Sequence, residues 1–183
     1  MHRYFLIAGT TAIGKSNLSS KLLSLGMAVS DLDLVRDIMK GDLQQEEILT
    51  KSFFELSIDE YKKQCELLKP AINGMINGIV KNKQHVALLG AHMIPGNECC
   101  DASNGWKKIL LTMPNEELHW NQFCIRAEID KRPFMNGKDT LKKRFIQARE
   151  YQEYLIGKAK KHGWHIIENN GDVLDCVAEL LSL

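Results

Sequence analysis

The residues that most clearly predict chemistry lie near the start of the chain, where residues 9–16 read G-T-T-A-I-G-K-S. This is the G-x-x-x-x-G-K-S pattern of a P-loop, in which backbone N–H groups and a lysine surround the phosphates of a nucleotide. The serine that follows the lysine is a typical ligand of Mg²⁺. An apolar, strand-like run precedes the loop and a helical pattern follows it, as the motif requires. We therefore expect these residues to bind the nucleotide: Gly9, Thr10, Thr11, Ala12, Ile13, Gly14, Lys15, Ser16 and Asn17.

A second polar group, Asp31, Asp33 and Arg36, follows the second apolar run. A hydroxyl that accepts a phosphoryl group must be oriented in line with the γ-phosphate, and a carboxylate can do this. We expect Asp33 to orient the acceptor and Asp31 to bind Mg²⁺, while Arg36 is suited to clamp an anionic substrate. Asp33 is also a suitable N-cap for a helix predicted over residues 34–39.

Two arginines, Arg126 and Arg132, fall in a stretch without clear periodicity that precedes a long helical pattern. A lid that closes there would bring guanidinium groups to the transferring phosphoryl group and exclude water. We therefore predict a lid over about residues 124–140, with Lys15, Asp33, Arg126 and Arg132 as the catalytic candidates. A solvated basic loop would have a similar composition.

Short apolar runs alternate with helical periodicity along the chain, which indicates a parallel sheet covered by helices. We predict an α/β fold of the three-layer P-loop NTPase type, similar to nucleoside and shikimate kinases, with a five-stranded parallel sheet and helices on both faces. Ligands bind such sheets at the carboxyl ends of the strands, where the P-loop and the paired aspartates lie. The predicted strands are residues 4–8, 27–30, 85–89, 108–112 and 165–167.

Residues 40–83 are expected to form a helical substrate-binding segment. Within it, residues 44–63 are predicted to be helical and partly exposed. Leu68, Ile72 and Ile76 recur at helical spacing, and Pro70 is expected to lie in the first turn of that helix or to kink it.

Composition narrows the class of protein further. The 183 residues suggest a single domain, 44% are hydrophobic and 26% are charged, and the net charge is +1. That charge argues against a nucleic-acid partner, and no apolar run approaches the roughly 20 residues needed to cross a bilayer. Five cysteines without framework spacing favour a reducing cytoplasm. Cys99 and Cys100 near His92 lack the spacing of a zinc site. The N-K-x-D and D-x-x-G motifs of GTPases are absent from the sequence.

Several segments resemble the kinase domain of 2-phosphoglycerate kinases. These are S-D-L-D-L-V-R-D-I-M at residues 30–39, L-L-G-A-H-M-I-P-G at residues 88–96, E-L-H at residues 117–119, and residues 144–169. The G-x-H-x-x-P-G run is the most specific of them. Gln64 also fits the family pattern, whereas Leu89 stands where that family has an acidic residue. The resemblance covers nearly the whole chain.

This resemblance implies ATP- and Mg²⁺-dependent phosphorylation of a hydroxyl on a small acidic metabolite. Carried over by position, Asp33 would be the acceptor-orienting base, Arg36 and His92 would lie near the substrate, and Asn169 would contact ATP. Ser16 and Asp31 would hold the metal, because the Asp-x-Asp arrangement resembles that of shikimate kinases. Two alternatives stay open: a nucleotide-binding regulatory module without transfer activity, suggested by Leu89, and a kinase of nucleosides or polynucleotide 5′-hydroxyls.

Overall fold

A computed structural model describes residues 4–42, 47–82, 85–97, 105–130 and 138–183. Its centre is a five-stranded sheet with the strand order β2-β3-β1-β4-β5. All neighbouring strands are parallel, which confirms the predicted sheet. The strands are β1 (Tyr4–Ala8), β2 (Ala28–Asp31), β3 (Val86–Gly90), β4 (Lys107–Thr112) and β5 (His165–Glu168).

Helices connect the strands and cover both faces of the sheet, so the predicted three-layer arrangement is confirmed. Over the described ranges, no helix is long and apolar enough to cross a membrane. The helices are α1 (Lys15–Ser24), α2 (Asp33–Asp42), α3 (Glu47–Thr50), α4 (Ile58–Asn82), α5 (Glu116–Asp130), α6 (Lys138–His162) and α7 (Val173–Ser182), and a 3₁₀ turn spans Phe53–Glu55.

The sheet divides the core into two layers because side chains alternate along each strand. In β1, Phe5 and Ile7 pack with apolar residues of α1 and α7. Leu6 and Ala8 point the other way, into a layer formed with α4, α5 and α6. Burial on both faces explains why the central strands are continuous apolar runs and not alternating ones.

The described part of residues 44–63 contains short helical elements and is partly exposed, as predicted, but its aromatic side chains are buried. Phe53, Phe54 and Tyr61 are buried, and the ring of Phe53 lies 4.3 Å from that of Tyr151, centroid to centroid. The hydroxyl of Tyr151 on α6 also donates to the carbonyl of Leu56 at 2.6 Å. Polar residues interrupt the apolar pattern in the sequence, but α6 covers the aromatic side chains in the fold.

Pro70 lies well inside the 25-residue helix α4 and not in its first turn. Helix α4 begins at Ile58, so the apolar pattern that starts at Leu68 marks only its second half. Proline has no N–H to donate within the helix, and its exposed position leaves the carbonyl one turn earlier open to water.

Candidate active site

A cavity of about 620 Å³ opens at the carboxyl ends of β1, β2 and β3. The structure brings together there the P-loop, both predicted aspartates and residues of α5. The cavity is thus the switch point at which open parallel sheets bind ligands. The residues lining it are Thr11, Ala12, Gly14, Lys15, Ser16, Asn17, Ser19, Ser20, Val29, Asp31, Asp33, Leu89, Gln122, Ile125 and Arg126.

The P-loop connects β1 to α1, and its shape depends on glycine. A Cβ on Gly9 would lie 2.2 Å from Cδ1 of Ile13 and 2.8 Å from the carbonyl oxygen of Leu111. Gly14, the N-cap of α1, has a φ of 95°, which side-chain-bearing residues rarely adopt. Gly14 has no side chain with which to cap α1, so the N-terminal N–H groups of this helix are available to an anion in the cavity.

Most of the predicted nucleotide-binding residues line the cavity, but Gly9, Thr10 and Ile13 are buried behind it. Two buried side chains brace this part of the loop from the rear. Nε2 of His119, on α5, donates to the carbonyl of Thr11 at 3.0 Å. Nδ2 of Asn169, after β5, donates to the carbonyl of Ile13 at 2.9 Å.

Both bracing residues differ from what the sequence indicated. Oδ1 of Asn169 accepts from the N–H of Gly171 at 3.0 Å, so its amide is hydrogen-bonded at both ends within the protein. Its contact with the nucleotide stays a prediction. His119 was not expected in the site, and the E-L-H resemblance was the only signal for it.

Lys15 lies half-buried in the loop that it serves. Its Nζ donates to the carbonyl of Gly9 at 2.8 Å and also to that of Thr10. Burial lowers the pKa of Lys15, although the nearby charges of Asp33 and Asp31 act in the opposite direction. The ammonium group therefore lies against the backbone of its own loop, in the cavity where the phosphates of a nucleotide would bind.

The two aspartates have different environments. Oδ1 of Asp31 accepts from the N–H of Asp33 at 2.9 Å, so Asp31 and not Asp33 caps the start of α2. Burial and the neighbouring charge of Asp33 raise the pKa of Asp31. Burial also tends to raise the pKa of Asp33, but the hydrogen bond and charge of His92 outweigh it and hold that pKa below its usual range.

His92 lies behind Asp33, where its side chain is 1% exposed. Nδ1 is 2.8 Å from Oδ1 of Asp33, and Nε2 is 2.8 Å from Oε1 of Gln64. Both ring nitrogens are thus engaged within the protein, and neither is left for the predicted contact with the substrate. The side chain of Asp33 is 44% exposed and lines the cavity.

The predicted arginines fall in three situations. Arg126 lies within helix α5 and not in an irregular segment, and its Nη1 donates to Oγ of Ser16 at 3.3 Å. Arg36 donates to Oδ1 of Asp37 through Nη2 at 2.9 Å. Arg132, like Cys99 and Cys100, lies outside the described residues. The structure therefore places one of the two lid arginines directly at the P-loop.

The donors in the cavity fit a Mg²⁺ ion only when phosphate and water complete its coordination. Ser16 and Asp31 supply a hydroxyl and a carboxylate to the same cavity. Among the described residues there is no group of three or more His, Cys, Asp or Glu that could hold a metal alone. This suits Mg²⁺, which keeps several waters and typically binds proteins through one or two carboxylates plus substrate phosphates.

Comparison with known sequences gives distant relatives, and no family model matches the chain. A 2-phosphoglycerate kinase of Methanocaldococcus jannaschii is 26% identical over an alignment of 183 positions that covers 90% of this chain and 57% of that protein. A 2-phosphoglycerate kinase of Pyrococcus furiosus is 27% identical over an alignment of 180 positions that again covers 90% of this chain and 58% of that protein. The chain therefore spans somewhat more than half the length of these relatives.

Comparison with solved structures shows the fold. A shikimate kinase from Bacteroides thetaiotaomicron has a TM-score of 0.63 at 19% identity, with 99% of both chains covered. A shikimate kinase from Acinetobacter baumannii in complex with shikimate has a TM-score of 0.61 at 14% identity, covering 100% of this chain and 92% of that one. A gluconokinase from Sinorhizobium meliloti has a TM-score of 0.58 at 11% identity, covering 98% and 90%. The chain thus has the fold of small-molecule P-loop kinases and resembles the 2-phosphoglycerate kinases in sequence.

Proposed function

We propose that the chain is an ATP- and Mg²⁺-dependent phosphotransferase that transfers the γ-phosphate to a hydroxyl of a small acidic metabolite. The supporting observation is that Asp33 and the P-loop lysine Lys15 face one cavity of about 620 Å³. A carboxylate beside the phosphate-binding loop is what an acceptor hydroxyl needs for alignment with the γ-phosphate. The curated relatives make 2-phosphoglycerate the first acceptor to test.

In this proposal the charged and hydroxyl side chains Lys15, Ser16, Asp31, Asp33 and Arg126 each have a specific role. Lys15 and the N-terminus of α1 bind the phosphates, and Ser16 with Asp31 holds the Mg²⁺ that neutralises their charge. Arg126, which contacts Ser16, is placed to stabilise charge on the transferring group. Asp33 has a lowered pKa and is therefore a weak base, so it acts chiefly by orienting the acceptor. This suits phosphoryl transfer, whose loose transition state depends mostly on positioning and electrostatics.

An acidic acceptor is supported by the cations around Asp33. Lys15 and Arg36 both lie close enough to lower the pKa of its carboxyl group. A carboxylate or phosphate on the substrate would be attracted by the same charges. Residues 1–183 as one domain and a cytoplasmic location stay predictions.

The test is incubation of the purified chain with Mg-ATP and a panel of hydroxy acids, 2-phosphoglycerate first, with ADP release as the readout. We expect one acceptor to accelerate ADP release, and both Lys15→Ala and Asp33→Asn to abolish that acceleration. Lys15→Ala should also weaken ATP binding, whereas Asp33→Asn should leave it nearly unchanged. If no acceptor accelerates ADP release although ATP binds, the proposal is wrong.

Leu89 supports an alternative function, that of a nucleotide-binding module without transfer activity. It lines the cavity at the position where the resembled family has an acidic residue. In that case ATP would bind with normal dependence on Lys15, and no acceptor would be phosphorylated. Phosphate transfer from labelled ATP to a nucleoside or to an oligonucleotide 5′-hydroxyl would instead indicate the other alternative, a kinase of nucleosides or polynucleotide 5′-hydroxyls.

A further inference from the structure

We propose that Gln64 and His92 are positioning residues that hold Asp33 as an oriented carboxylate through a buried chain of hydrogen bonds. The three side chains come from different elements: Gln64 from α4, His92 from the loop after β3, and Asp33 from the start of α2. The effect on catalysis rests on the proposed function, whereas the hydrogen-bond arrangement does not.

The hydrogen-bond chain begins at Gln64, whose side-chain amide has a fixed orientation. Gln64 is 0% exposed, and its Nε2 donates to the carbonyl of Ile48 at 2.6 Å and to that of Lys51 at 3.3 Å. The reversed amide would set its own oxygen against two carbonyl oxygens, and neither could donate. Oε1 therefore faces His92 as an acceptor.

The two partners of His92 then determine which ring nitrogens carry protons. Nε2 lies 2.8 Å from the acceptor Oε1 of Gln64, so it must donate. Nδ1 lies 2.8 Å from Oδ1 of Asp33, and a carboxylate can only accept. Both ring nitrogens of His92 therefore face acceptors, and a hydrogen bond from Nδ1 to an ionised Asp33 is charge-assisted.

The surrounding charges are consistent with this pair. Asp31 is the other carboxylate whose charge interacts with His92, and Lys15 and Arg36 are the cations that interact with Asp33. A buried charge is costly unless it is paired and hydrogen-bonded, and His92 meets both conditions.

The consequence of this hydrogen-bond chain concerns Asp33, which forms its exposed end. One oxygen of Asp33 is tied to His92, while the side chain remains 44% exposed at the cavity. This hydrogen bond therefore restricts rotation of the carboxylate, which faces the same cavity as Lys15. The carbonyls of Ile48 and Lys51 lie at the far end of the chain, so the fold around α3 sets the position of the acceptor-orienting group.

The first test needs neither substrate nor turnover. In the full-length protein with ¹⁵N-labelled histidine, NMR is expected to show hydrogen-bonded N–H groups at both ring nitrogens of His92, because each nitrogen faces an acceptor. His165 is a matched comparison, because its Nε2 lies 2.9 Å from Oε1 of Glu179 but both side chains are more than 40% exposed. A His92 ring nitrogen that donates no hydrogen bond to Gln64 or to Asp33 would overturn the double-donor arrangement.

The second test asks whether the hydrogen-bond chain orients the carboxylate of Asp33. A crystal structure of His92→Ala is expected to show the Asp33 carboxylate in a different rotamer, whereas His165→Ala should leave it in place. If His92→Ala does not fold, Gln64→Leu, which removes only the far end of the chain, is examined in the same way. An unchanged Asp33 rotamer in the variant that folds contradicts the proposal.

The third test measures the effect on catalysis. Misplacing a reacting group by about 1 Å can cost about 10²-fold in rate. We therefore expect His92→Ala to lower kcat by roughly that factor, measured with the acceptor that wild type phosphorylates. His92→Asn, which can keep one N–H donor toward Asp33, should recover part of the loss, and ATP affinity should not change in either variant. Equal kcat in His92→Ala and wild type would overturn the role. Two protonated nitrogens without any transfer in wild type would refute the proposed function and leave the arrangement intact.

Discussion

Asp31 and Leu89 are paired in register between the parallel strands β2 and β3. Residues paired in this way project to the same face of a sheet. The Leu89 side chain packs in the layer formed with α1, the helix whose first turn contains Ser16. The carboxylate of Asp31 therefore lies on the same side of the sheet as Ser16. It is one strand away from Leu89, the position at which the 2-phosphoglycerate kinases that the sequence resembles have an acidic residue.

This relationship predicts that Asp31→Asn raises the Mg²⁺ concentration needed for half-maximal transfer. Asparagine keeps the shape of the side chain but not its charge, and losing even an indirect metal partner typically costs about 10- to 100-fold in affinity. We expect at least a tenfold increase, measured by titrating Mg²⁺ at constant ATP. Asp37→Asn is the control, since Asp37 is 57% exposed and pairs with Arg36. The same Mg²⁺ requirement in both variants would show that Asp31 is not a ligand.

Arg126 is expected to stabilise the transition state through its position beside Ser16. By analogy with arginine fingers, worth about 10³–10⁵ in rate, Arg126→Ala should slow transfer by about 10³-fold with little change in melting temperature. Single-turnover kinetics with saturating ATP would measure this, with Lys160→Ala, an exposed cation near the end of α6, as the control. A decrease of less than about tenfold would mean that another basic residue supplies the charge.

Protonation of His119 in mild acid is expected to lower the free energy of unfolding. Burial lowers its pKa from 6.5, with Arg149 and Lys15 acting in the same direction and the Thr11 carbonyl and Glu116 opposing them. Because the folded state favours the neutral ring, its contribution to the free energy of unfolding is complete above pH 6.5. It declines as the pH falls from there toward the lowered pKa.

Thermal melts between pH 8 and pH 5 would measure that decline, with buffer and salt held constant. His119→Gln removes the titrating group and can still donate to Thr11, so its melting temperature should depend less on pH than that of wild type. His165→Gln changes an exposed histidine and should retain the wild-type dependence. Identical slopes in all three proteins would exclude His119 as the source.

Gly14 is expected to tolerate no side chain. A Cβ there would lie 2.3 Å from Nδ2 of Asn169, and the backbone φ of +95° would be strained in any case. Gly14→Ala should therefore weaken ATP binding, measured by calorimetry, and adding Asn169→Ala should not restore it because the strain remains. The control is Gly157→Ala in α6, where nothing lies within 4 Å. That change should stabilise the fold by about 0.5–1 kcal/mol and leave ATP binding unaltered.

The predicted sheet followed from local information, since each central strand is buried on both faces and reads as an unbroken apolar run. Helix boundaries were less accurate. Helix α4 begins at Ile58, although the clear apolar periodicity starts ten residues later at Leu68. The burial of the aromatic side chains around Phe53 did not follow from the sequence, because their cover comes from α6, which is distant in sequence.

The sequence by itself determined the phosphate half of the site. The P-loop is a contiguous motif whose glycines, lysine and serine act within one strand–loop–helix unit, so spacing alone predicts it. Asp31 and Asp33 were also predictable, because they lie at the carboxyl end of a strand, at the binding edge of the sheet.

Only the tertiary structure decided how the other residues act. His92 was expected at the substrate, but Gln64 and Asp33 use both of its ring nitrogens. Asn169 and His119 brace the P-loop from elements more than a hundred residues away. Hydrogen-bond partners of buried polar groups depend on which elements pack together, and residue types and spacing along the chain do not specify that packing.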